Sequence, residues 1–160
     1  MNELSFFDKS QLLALVGVSS DTKKFGNQVF QFLHKHGYEV FPVHPRAKSI
    51  NGVKCFNCIT ELPPNIDRAI VITPPAETDG VLKQLAAHGI MEVWVQQLSQ
   101  SADSKNVSES LGLKTIFNRC VFMFAEPVKG IHAFHRWLWK HFYRKKYAQM
   151  CKQAHNHPAS

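Results

Sequence analysis

No apolar run in this 160-residue chain approaches the roughly 18 residues that cross a bilayer. The opening MNELSFFDKS has neither the basic start nor the apolar stretch of a secretory signal. The expected setting is therefore a cytoplasm, where the four cysteines stay reduced. Cys55 and Cys58 form a lone CxxC in turn-rich sequence, with no second pair spaced to complete a zinc site, and read as plain thiols. Cys120 follows a strand end and reads as an ordinary core cysteine. There are nine histidines, yet His132, His135, His155 and His157 have no carboxylate nearby in sequence, so a metal centre is not expected. The chain has no HExxH motif, nucleophile elbow or paired-carboxylate pattern, and no reaction can be argued from its residues. Acidic residues are missing altogether from 129–160, which carry seven Lys and Arg, while 1–128 carry twelve basic and twelve acidic residues. The whole formal charge of +7 therefore sits in the C-terminal segment.

What is present is an alternation of strand and helix signals. Leu12–Val18 is an apolar run ending in a glycine turn, and a helix is expected over about Gly26–His36. Further strands are expected at about Glu39–Val43, Arg68–Thr73, Met91–Val95 and Lys114–Phe117. Asn51-Gly52 marks a small extended excursion, and helices are expected at about Ala76–Ala87 and Ser101–Leu111. Pro74-Pro75 ends the third strand, since proline cannot donate to a ladder. Strands alternating with helices imply right-handed crossovers, and so a parallel sheet with helices on both faces. The fold class is thus α/β, a Rossmann-like doubly wound parallel sheet filling 1–128. A basic amphipathic helix is added over 129–160.

The stretch from Leu12 to Pro45 reads as strand, phosphate-sized turn, helix and second strand, the opening unit of a nucleotide-binding sheet. Its turn is GVSSDTKKFG, so the strict GxGxxG fingerprint is absent. Strand two ends in Pro42-Val43-His44-Pro45-Arg46-Ala47-Lys48, with none of the acid that holds a bare ribose in an NAD site. An imidazole, a guanidinium and an ammonium there suit a phosphate, and Lys23 and Lys24 add charge in the first turn. A ligand with a pyrophosphate and an extra ribose phosphate fits, and both coenzyme A (CoA) and NADP meet that description.

In the order and spacing of its short motifs, the chain resembles the small stand-alone CoA-binding proteins. Their fold is that of the CoA-binding domain in the alpha subunit of succinyl-CoA synthetase. The resemblance spans about Leu12 to Cys120. It rests on Gly17-Val18-Ser19 with Phe25-Gly26, Phe41-Pro42-Val43-His44-Pro45, Ile50-Asn51-Gly52, Glu61-Leu62-Pro63, Thr73-Pro74-Pro75, Val93-Trp94-Val95-Gln96 and Asn118-Arg119-Cys120. It implies that Gly17, Val18, Ser19 and Ser20 hold phosphates, with Lys24 and Phe25 at the helix start. It places His44, Pro45 and Arg46 near the ADP moiety and lines the pocket with Thr73, Pro74 and Pro75. Gln96 and Asn118 fall at the mouth, by the pantetheine arm. Two departures stand out: the family often has Asn at the position of His44, and often continues Gln96 with Pro-Gly where this chain has Gln97-Leu98.

The expected function is non-catalytic binding of CoA or an acyl-CoA; the chain is too short to hold the remaining parts of a ligase. An NADP-dependent oxidoreductase is the competing reading, and no convincing proton donor supports it. A third reading lies in the tail. Over about 130–152, Ile131, Phe134, Leu138 and Phe142 share one helical face, with Arg136, Lys140 and Arg144 opposite and Trp139, Tyr143 and Tyr147 beside them. The apolar stripe packs on the sheet or on a second copy in a homodimer. The basic face is either solvated or meets an anionic partner, nucleic acid or membrane.

Overall fold

A computed structural model describes residues 3–125. Strand β1 (Leu13–Val16) is buried along its whole length, as a central parallel strand must be. It is flanked by β2 (Val40–Val43) and β5 (Arg68–Val71), and β6 (Glu92–Gln96) and β7 (Lys114–Arg119) follow outward in the order β2-β1-β5-β6-β7, all parallel. Between β2 and β5 a short antiparallel pair, β3 (Ser49–Ile50) and β4 (Val53–Lys54), turns at Asn51-Gly52. Both turn residues have positive φ, 49° and 83°, the geometry of a two-residue hairpin loop. The chain leaving β4 then lies parallel to the outer side of β2, bridging Val43 to Phe56. Pro42 fits there because its carbonyl accepts the Phe56 N–H at 2.9 Å, which puts its missing donor on the weakly paired side.

Successive β1 residues face opposite layers. Leu13 and Leu15 join Val29, Phe30 and Leu33 of α2 (Phe25–Lys35), whereas Ala14 and Val16 join Leu82 and Leu85 of α3 (Pro75–His88). The short α4 (Ser104–Ser110) packs on the α3 side through Val107. The doubly wound α/β sheet expected from the sequence is thus present. Pro75 opens α3 at its first position, where a missing N–H costs nothing, so the proline pair that stops the strand also starts the helix.

One turn of helix, α1 (Glu3–Phe6), is absent from the sequence-based expectation. Phe6 and Phe7 place their rings 5.6 and 5.1 Å from the fully buried Trp94. Arg68 Nη1 fixes the segment by donating to the carbonyls of Ser5 and Phe6 at 2.8 and 3.0 Å. The basic helix expected over 130–152 lies outside the described residues. Among the described residues, no helix is long and apolar enough to cross a membrane.

Candidate functional site at the carboxyl edge of the sheet

From the carboxyl end of β1 the chain turns to one face through α2, and from β5 it turns to the other through α3. Such a switch point opens a crevice at the strand ends. Two glycines make it possible here. Gly17 has φ +91°, and a Cβ on it would lie 2.6 Å from the Ile72 carbonyl oxygen and 3.0 Å from the Thr73 nitrogen. A Cβ on Gly26 would lie 2.6 Å from the Gly17 carbonyl oxygen, so the start of α2 rests directly on the turn.

The turn between them is ordered by its own polar groups. Ser19 Oγ accepts the Asp21 N–H at 3.1 Å, and Asp21 Oδ1 accepts the Lys23 N–H at 2.9 Å. Lys24 is the N-cap of α2, in extended conformation, and no side chain caps the helix or supplies an acid in its first turn. That leaves the start of α2 without a side-chain cap, while the Asp21 carboxylate is engaged by the Lys23 N–H within the turn. Ser20, Lys23, Lys24 and Phe25 are exposed there, and Val18 is buried beneath them.

His44 follows β2 and is half-buried. Its Nδ1 accepts the N–H groups of Arg46 at 3.2 Å and Ala47 at 3.1 Å, folding the chain into a tight turn around the ring. Pro45 and Arg46 are exposed on that turn. The imidazole therefore performs the acceptor role that an Asn side chain performs in an Asx-turn. Burial pushes the thiol of neighbouring Cys55 up, and Cys58 is an exposed free thiol.

At β5, Thr73 Oγ1 lies 2.8 Å from Thr78 Oγ1, and Thr78 donates onward to the Ser99 carbonyl at 2.6 Å. Pro74 and Pro75 lead out of it, exposed at the start of α3. Gln96, only 6% exposed, accepts the Val121 N–H through Oε1 at 3.1 Å and so holds the chain that follows β7. The register slips by one residue between Trp94 and Gln96, and Asn118 takes up the extra residue with φ +58°. Expected site residues at the ends of five strands are thus set along one edge, with direct links from Gly17 to β5 and from Gln96 to the segment after β7.

Asn27 is the component that sequence reasoning missed. It is fully buried, donates to the Ser19 carbonyl at 2.6 Å, and accepts from Asn51 at 3.0 Å and Gln31 at 2.7 Å. It ties the first turn to the β3–β4 hairpin. The available signal was an amide in register with the apolar stripe of Phe30 and Leu33. A cavity of about 470 Å³ also exists, but it opens beside the start of β2, among Tyr38, Phe41, Lys54 and Phe56, and includes none of the edge residues above.

A parallel sheet with a glycine-wedged switch point defines a Rossmann-like α/β scaffold. Within that class, residues 11–126 match the model of the CoA binding domain, and the chain belongs to that family. It is 32% identical over 91 residues to the alpha subunit of acetate–CoA ligase (ADP-forming) II of Pyrococcus furiosus, covering 56% of this chain but 20% of that protein. The uncharacterised protein YneT of Bacillus subtilis is 24% identical over 113 residues, covering 71% of this chain and 84% of that one. Among solved structures, a conserved hypothetical protein from Pyrococcus furiosus superposes with a TM-score of 0.67 at 32% identity, covering 69% of this chain and 96% of that one. The chain spans about a fifth or less of the ligase relatives it matches.

Proposed function

We propose that this protein binds CoA or an acyl-CoA non-covalently at the carboxyl edge of its sheet and catalyses no reaction by itself. The observation that carries this reading is the switch point. Gly17 and Gly26 bring two backbones into contact there and leave the start of α2 uncapped in a member of the CoA-binding family. Amides around Ser19 and Ser20, with Lys24, take the pyrophosphate in the turn that leads to the start of α2, whose dipole favours an anion. Arg46 takes the ribose phosphate, since its guanidinium is exposed and offers a planar fork of donors that matches a phosphate. Thr73, Pro74 and Pro75 line the path toward the mouth at Gln96 and Asn118. The ligase relatives carry further parts along the four-fifths or more of their length that this chain does not match, and the reading extends to binding alone.

Titration calorimetry with CoA and with dephospho-CoA tests this assignment. CoA should bind more tightly by about tenfold or more, the value of a charge-assisted contact to the ribose phosphate. Arg46→Ala should erase most of that difference, and Lys24→Ala should weaken both ligands alike. Equal affinity for the two ligands in the unaltered protein would remove Arg46 from the site, and no heat with either would remove the function.

A further inference from the structure

The turn at His44 is held by a nitrogen lone pair. Nδ1 accepts from both Arg46 and Ala47, at 3.2 and 3.1 Å, so the neutral ring carries its proton on Nε2. A second proton on the ring would go to Nδ1. It would turn the acceptor into a donor facing two N–H groups, beside the guanidinium of Arg46.

We propose that His44 is a positioning residue, whose neutral imidazole shapes the 44–47 turn and thereby aims Arg46 at the ligand. Acidification then opens the turn and weakens CoA binding together. A phosphate-binding cation would behave in the opposite way, with affinity rising as the ring gained charge. This inference rests on the CoA reading of the site for its binding arm, and on the turn alone for its second arm.

The groups around the ring leave few other sources for such a pH response. Arg46 and Lys48 are the basic residues on the same loop. Cys55, on the segment returning beside β2, is pushed up by burial and stays a neutral thiol. From the next segment, Asn57 donates to the His44 carbonyl at 3.4 Å, and its own N–H is accepted by one oxygen of Glu61 at 2.9 Å. Lys54 lies over the Phe56 ring at 5.0 Å.

The test compares the unaltered protein with His44→Asn, which keeps a short acceptor for the two amides but cannot titrate. CoA affinity is measured by calorimetry between about pH 8 and pH 5, the span over which histidine serves as a switch. The ligand's own phosphate titrates equally in both titrations and cancels in the comparison. The acid-to-neutral ratio of Kd should be about tenfold larger for the unaltered protein than for His44→Asn, as expected for two lost hydrogen bonds. In the ligand-free protein, the exchange protection of the Arg46 and Ala47 amides should fall on acidification, and should hold in His44→Asn. Superimposable pH profiles, or affinity that rises with acid, would overturn the positioning role. If CoA does not bind at any pH, the function fails. The amide protection still decides the turn: steady protection at Arg46 and Ala47 in the unaltered protein would overturn the inference by itself.

Discussion

At the scale of single residues, Leu98 is the least comfortable side chain described. It is 81% exposed and sits at φ +72°, in a turn closed by the Ser99 N–H on the Gln96 carbonyl at 2.9 Å. Such a turn prefers proline and then glycine at its centre, as the resembling family often has, and Gln97-Leu98 holds the same shape against its preference. Leu98→Gly should raise stability by about 0.5–1 kcal/mol, the left-handed strain relieved less the added freedom of the unfolded chain. Denaturant unfolding reads this directly, and a loss of similar size would mean that Leu98 makes contacts that outweigh its strain. Gly17 is the reverse case. Gly17→Ala combines a strained φ with a carbonyl oxygen at 2.6 Å, and should cost about 2 kcal/mol or more in the same measurement.

Between elements, two buried amides hold the edge together. Asn27 reaches from α2 to the first turn and the hairpin, and Gln96 reaches from β6 to Val121. Gln96→Leu strands a buried N–H and should destabilise by about 1–3 kcal/mol, whereas an exposed change such as Gln84→Leu should fall within about 0.5 kcal/mol of zero. A small effect at Gln96 would show that solvent reaches the Val121 amide. The same comparison shows what the sequence made legible. Long periodic segments such as α2 and α3, and the wholly apolar β1, declared themselves through pattern. Glu3–Phe6 did not, because four residues carry no period and its stability comes from Trp94 and Arg68, far away in sequence. The bulge at Asn118 was likewise invisible, since it is a mismatch between two strands rather than a property of either. The site's positions could be named from glycines, prolines and strand ends. The use of His44 as an acceptor for its own turn could not, because composition suggests only its charge.

For the whole molecule, the sequence divides a neutral body from a segment carrying the entire +7. A CoA-binding role assigned to the body predicts little change in CoA affinity when residues 129–160 are removed. Lost CoA binding in a folded, shortened protein would move part of the site into that segment. The central claim, that the carboxyl edge of the sheet is a CoA site, is met most directly by thermal unfolding with CoA, acetyl-CoA, ADP and NADP added separately. A ligand at one hundred times its Kd adds about 2.7 kcal/mol, enough to move the midpoint by several degrees. CoA and acetyl-CoA should each raise the midpoint, with ADP weaker and NADP without effect. A shift with NADP alone, or none with CoA at millimolar concentration, would contradict it.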